Sequence, residues 1–110
     1  MYTKPLVVMI GRGDISYGES LPQKLRLAGR ATLVGEPTNG TFGWKDGITL
    51  PGGARVFFTR GRALWPNGDK YHGIGVIPDV PVHATLLGLR QGRDEVYDTA
   101  LATLRRLLNN

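Results

Sequence analysis

Leu6-Val7-Val8-Met9-Ile10 is an unbroken aliphatic run, and the lack of polar alternation predicts a strand buried on both faces. Gly11-Arg12-Gly13-Asp14 ends it. From about Glu19 to Ala28 the spacing predicts a short helix closed by Gly29, with Pro22 tolerable only if it falls in the first turn. Ala31-Thr32-Leu33-Val34 predicts a second strand, so the first third of the chain reads as a βαβ unit with a parallel pair. Beyond Gly40 the pattern changes. Ile48-Thr49-Leu50 and Arg55–Thr59 flank Pro51-Gly52-Gly53 as a hairpin, and Ala63-Leu64-Trp65 leads into the turn Pro66-Asn67-Gly68-Asp69. Gly75–Val80 reads as an extended edge segment, because Pro78 cannot donate to a central ladder. Asp94 opens a terminal helix through Leu108, with Val96, Ala100, Thr103, Leu104 and Leu107 on one face and Arg105 and Arg106 at its negative end.

Two parallel strands and one crossover helix cannot cover both faces of a sheet, yet the first strand is apolar throughout. The expectation is that partner strands lie outside these 110 residues, and that the chain is the C-terminal portion of a larger α/β domain. No apolar run approaches the roughly 18 residues of a membrane span, and the six apolar residues after Lys4 are too few for a signal-peptide core. Without cysteine there is no disulfide framework and no thiolate nucleophile.

Charge adds little. Lys and Arg number 14 against 9 Asp and Glu, a net +5, but the cations are scattered from Lys4 to Arg106 with no run interleaved with aromatics. That is a basic surface rather than a nucleic-acid track. Glycine changes the picture more: 16 residues, at the edges of short apolar runs, predict tight shaped loops between strands.

The loop after the first strand carries the candidate chemistry. As Gly11-x-Gly13-x-x-Ser16 it falls one glycine short of a dinucleotide fingerprint, with Glu36 as the ribose-binding acid. As a nucleophile turn it presents Ser16 at a strand-to-helix junction, with the Tyr17 N–H aimed at a developing oxyanion. As a plain cap, Ser16 only ends the loop. His72 can accept a serine proton if the two meet, or can be a hydrogen-bonded strand residue beside Tyr71; His83 is the weaker candidate. Glu36 and Asp79 read as structural carboxylates, Glu36 taking backbone N–H groups of its own loop, and Asp14 with Glu19 as an ordinary loop pair. No His or carboxylate spacing suggests a metal site.

Four blocks in order resemble the tail-specific (C-terminal processing) and tricorn-like serine peptidase family. They are Pro5-Leu-Val-Val-Met-Ile-Gly-Arg-Gly-Asp-Ile-Ser16-Tyr-Gly-Glu19; Gly29-Arg-Ala-Thr-Leu-Val-Gly-Glu-Pro-Thr-x-Gly40; Leu50-Pro-Gly-Gly53 with Trp65-Pro-Asn-Gly68 and Gly73-Ile-Gly-Val-Ile-Pro-Asp-Val80; and Gly92-Arg-Asp94 with its helix. The resemblance implies a crotonase-like α/β core of which this chain holds the C-terminal half, and a serine endopeptidase acting by acyl transfer without cofactor or metal. It implies a peptide or unfolded-protein substrate, an N-terminal half supplying the rest of the site, scope for a homo-oligomer, and a location outside the cytoplasm, in periplasm or cell envelope. By the same resemblance Ser16 is the nucleophile, Tyr17 an oxyanion donor, and Gly35, Glu36, Pro37, Thr38 and Gly40 the substrate-side loop. The family's tail-specific branch carries a Lys base where this chain has Thr41. The tricorn-like branch uses an upstream His with a downstream Glu, and His72 stands where that Glu falls. A non-catalytic peptide-binding relative of the same fold, or a nucleotide-binding βαβ unit, is the alternative.

Overall fold

The computed structural model describes residues 2–61, 64–70 and 72–109. The βαβ expectation holds. Strand β1 (Val7–Ile10), helix α1 (Tyr17–Leu27) and strand β2 (Thr32–Gly35) follow in order, and β1 pairs with β2 in parallel, Val7 opposite Thr32 and Ile10 opposite Gly35. Helix α1 begins two residues earlier than the spacing suggested, with Ser16 as its N-cap. Pro22 therefore lies in its second turn, buried, where the ring deprives the Gly18 carbonyl of its usual donor. At the other end Gly29 N–H donates to Arg26 O and Arg30 N–H to Leu25 O, a Schellman end with Gly29 at φ 66°.

Strand β2 is the centre of a three-stranded sheet. Its second parallel neighbour, β5, is only Val80–Pro81, so the extended segment predicted from Gly75 joins the sheet at its last residue. The Asp79 carboxylate extends that pairing by accepting Leu33 N–H at 2.7 Å, while Asp79 N–H donates to Leu33 O at 2.9 Å. β1, expected to be buried on both faces, lies at the edge of this sheet, and Met9 is half exposed. No further strand pairs with the outer side of β1 among the described residues.

The hairpin is longer than its apolar residues indicated. β3 (Trp44–Thr49) and β4 (Arg55–Arg60) pair antiparallel from Trp44 opposite Arg60 to Thr49 opposite Arg55, around the expected Pro51–Gly53 turn. Ala63 lies outside the described residues, and beyond it Leu64 makes a single antiparallel bridge to Lys70 rather than a strand. Trp65 is buried, and with Ile10, Leu33 and Val76 it forms a core cluster on which Val8, Ala31 and Phe42 pack. Two helices close the chain. α2 (Leu86–Arg90) was not legible in the pattern, whereas α3 (Glu95–Leu108) follows the expected span; it is capped by Asp94 through Tyr97 N–H, buries Ala100 and Thr103 of its expected face, and packs on β1 and β2.

Candidate functional site

The end of β1 and the start of α1 are joined by a six-residue loop closed on itself, in which Asp14 Oδ2 accepts Gly11 N–H and Asp14 N–H donates back to Gly11 O. The chain then reverses at Ser16, whose φ of 55° and ψ of −116° make it the only non-glycine residue with positive φ among the described residues. Holding a side-chain-bearing residue there costs about 1–3 kcal/mol, and such strain persists only where surrounding bonds enforce it. Around the first turn of α1, the amides of Gly18, Glu19 and Ser20 donate to Ile15 O, Ser16 O and Ser16 O. The Tyr17 N–H, next to Ser16, has no acceptor among the described residues, and it lies at the positive end of the helix.

Ser16 opens onto a small apolar hollow of about 90 Å³ lined by Tyr17, Phe42, Gly43 and Trp44, with the Tyr17 and Phe42 rings edge to face at 6.1 Å.

The side chain that enforces the turn is Glu19. It is fully buried, and its carboxylate accepts four hydrogen bonds. Oε1 takes Thr38 Oγ1–H at 2.5 Å and Gly40 N–H at 2.6 Å; Oε2 takes Thr41 N–H at 2.9 Å and Ser16 N–H at 3.2 Å. Ser16 N–H is shared with Thr41 O at 3.1 Å. The expectation of an ordinary Asp14/Glu19 loop pair is therefore overturned: Asp14 closes its own loop, and Glu19 ties the Ser16 turn to the 38–41 loop. The signal was present as Ser16-x-x-Glu19, the spacing of a capping box, in which the Glu side chain reaches back to the N-cap amide.

The 38–41 loop in turn holds the segment after His72. Gly73 N–H donates to Gly40 O, Thr38 N–H to Val76 O, and Val76 N–H to Thr38 Oγ1 at 2.7 Å. Ser16 and His72 thus border two segments fastened to one loop, although no hydrogen bond joins the two side chains among the described residues; His72 is exposed.

Of the substrate-side residues expected from the resemblance, Gly35, Thr38 and Gly40 are buried, and Glu36 and Pro37 half-buried. Pro37 and Thr38, with Arg12, Asn39, Gly73 and Ile74, line an open hollow of about 280 Å³. Glu36 does not bind the amides of its own loop. It faces outward to His83 Nδ1 at 2.7 Å and Arg12 Nε at 3.2 Å. Its carboxyl is held below the usual value, first by the His83 hydrogen bond; burial opposes this, and the charges of His83 and Arg12 add to the lowering. His83 is committed to this surface pair. Among the described residues no cluster of His and carboxylates could hold a metal ion, and no helix is long and apolar enough to cross a membrane. For a dinucleotide the loop is poorly disposed: its adjoining amides already serve a buried carboxylate, whose charge opposes a pyrophosphate.

The sequence profile of peptidase family S41 matches residues 1–82. A Chlamydia pneumoniae protein named CPj1016/CpB1054 is 33% identical over 106 residues, covering 94% of this chain and 17% of its own length. The carboxyl-terminal-processing protease of Synechocystis sp. is 33% identical over 104 residues, covering 92% of this chain and 24% of that protein. Among solved structures, mature CPAF complexed with lactacystin superposes with a TM-score of 0.89 at 29% identity, over 99% of this chain and 22% of that one. The chain thus spans about a fifth of the length of these relatives.

Proposed function

This chain belongs to peptidase family S41, and from that premise we propose that it carries the nucleophile of a serine endopeptidase. In this reading residues 1–110 are the C-terminal portion of a crotonase-like peptidase domain, and residues outside them complete the site. Ser16 Oγ attacks the carbonyl carbon of a peptide bond and gives its proton to a base. The tetrahedral oxyanion is held by Tyr17 N–H. Collapse returns the proton to the leaving amine, and water then hydrolyses the acyl ester and frees Ser16. The apolar hollow beside Ser16 accepts an uncharged side chain of the substrate. The substrate is a peptide or unfolded protein, no cofactor takes part, and the compartment is extracytoplasmic.

The observation that carries this reading is the strained Ser16 backbone beside a Tyr17 amide with no acceptor among the described residues. A cap serine has no need of a positive φ. A second reading, a peptide-binding relative without turnover, is favoured by one feature: Thr41 supplies its backbone to Ser16 and Glu19 but no amine, and exposed His72 makes no bond to Ser16. Peptide cleavage by the full protein and by its Ser16→Ala variant separates the two. Ser16→Ala is expected to remove nearly all cleavage while shifting stability by less than about 1 kcal/mol, since only a hydroxyl is lost. His72→Ala is expected to slow turnover about 10²–10⁴-fold if His72 moves the proton. Equal cleavage by the parent and Ser16→Ala overturns the nucleophile assignment.

A further inference from the structure

Glu19 has no part in the chemistry proposed above, yet it is the most constrained ionisable side chain described. It is fully buried, and no Lys, Arg or His is paired with it among the described residues. Four converging hydrogen bonds are its compensation, and burying a carboxylate without a counter-ion is costly otherwise. A helix cap alone needs one of the four, the bond from Ser16 N–H. The other three reach 19, 21 and 22 residues along the chain. One of them, from Thr38, continues to Val76 N–H because the hydroxyl that donates to Glu19 also accepts from Val76.

Resting on the nucleophile reading of Ser16, we infer that Glu19 is the positioning residue of this site. Its carboxylate sets the Ser16 turn in register with the 38–41 loop and, through the Thr38 hydroxyl, with the segment that carries His72. Oε2 faces two amides and Oε1 faces an amide and a hydroxyl, so all four positions call for acceptors. In Glu19→Gln, either orientation of the amide turns an NH₂ group toward at least one backbone N–H. The shape is kept and the register is lost. Thr38→Val likewise keeps volume, but removes the hydroxyl that joins Glu19 to Val76.

The test is made in the full protein, with activity expressed per folded molecule. A fluorophosphonate probe measures the nucleophilicity of Ser16, whose oxygen displaces fluoride to form a phosphonyl ester, and peptide hydrolysis gives kcat and KM separately. Glu19→Gln is expected to lower both the labelling rate and kcat by tenfold to a hundredfold, with KM within threefold of the parent. Thr38→Val is expected to fall at least tenfold in kcat, and Thr38→Ser, which keeps the hydroxyl, to recover most of that loss. A purely structural Glu19 would lower the melting temperature and leave labelling per folded molecule unchanged, and that result overturns the inference. Should Glu19→Gln not fold, the Thr38 pair decides: equal turnover in Val and Ser variants overturns it. Labelling that persists in Ser16→Ala removes the nucleophile reading itself, whereas full labelling of folded Glu19→Gln removes this inference alone.

Discussion

Replacing Gly75 by alanine tests whether the register between the 38–41 loop and the 72–76 segment depends on close backbone contact. Gly75 adopts φ 80°, and a Cβ built there lies 2.2 Å from the Thr38 carbonyl oxygen. Ordinary van der Waals contact begins at 3.4 Å, so the two backbones must part by about 1 Å. The bonds lost by that movement are Thr38 N–H to Val76 O at 3.1 Å and Val76 N–H to Thr38 Oγ1 at 2.7 Å. Two hydrogen bonds at about 1 kcal/mol each, and about 1–2 kcal/mol for an L side chain in the left-handed region, give about 3–4 kcal/mol. Gly52→Ala is the control: it has φ 94° in the hairpin turn with nothing within 4 Å of a Cβ, so it carries the conformational cost alone. Hydrogen exchange of the peptide spanning 72–80 is the assay, because it reads this segment whatever the rest of the protein does. Gly75→Ala is expected to speed exchange at Val76 by about 10²-fold or more, while Gly52→Ala leaves Val76 within about fivefold of the parent. Equal protection in the two variants would refute the role given to close approach at Gly75.

The sheet and the surface pair give two further tests. Asp79→Ala leaves the fully buried Leu33 N–H without its 2.7 Å acceptor and is expected to cost about 1–3 kcal/mol in urea unfolding, whereas Asp79→Asn keeps an acceptor and costs roughly half as much or less. Because the His83 hydrogen bond lowers the Glu36 carboxyl from its ordinary 4.5, the stability of that pair is present above pH 4.5 and is lost as the pH falls through the lower, folded value. An NMR titration of the Glu36 side chain is expected to give a midpoint below 4.5 that rises in His83→Ala; an unchanged midpoint would show that His83 is not the cause.

Sequence patterning located what depends on neighbours close in the chain. The aliphatic run of β1, the Gly29 stop, the Gly52–Gly53 turn and the apolar face of α3 each announce themselves within a few residues. Burial of β1 did not follow from its composition, since exposure at Met9 depends on whether another strand or layer covers the edge, which no pattern in residues 6–10 encodes. Helix α2 failed for a related reason. Leu86-Leu87-Gly88-Leu89 carries a glycine at its centre and leaves Leu86, Leu87 and Leu89 exposed, so it has no amphipathic period. Its start is fixed by Thr85, which takes Gly88 N–H and is itself held by the Glu95 carboxylate.

The site divides along the same line, and that division bears on how such strained serine turns are recognised. Ser16 was legible because a turn serine between a strand and a helix is a local arrangement. Its positive φ was not, because nothing in Ile15-Ser16-Tyr17 demands it. The strain comes from outside: Thr41 O and Glu19 Oε2 share the Ser16 amide, and Glu19 is held in place by Thr38, Gly40 and Thr41. A cost of about 1–3 kcal/mol at one residue is therefore met by several hydrogen bonds, each net favourable by about 1 kcal/mol. That balance needs both the Ser-x-x-Glu spacing and the loop twenty residues downstream. A serine in such a turn without the distant acceptor or its donors would relax to an ordinary helix cap. The donors of Thr38, Gly40 and Thr41 thus distinguish this strained turn from an ordinary cap better than the Ser-x-x-Glu spacing does.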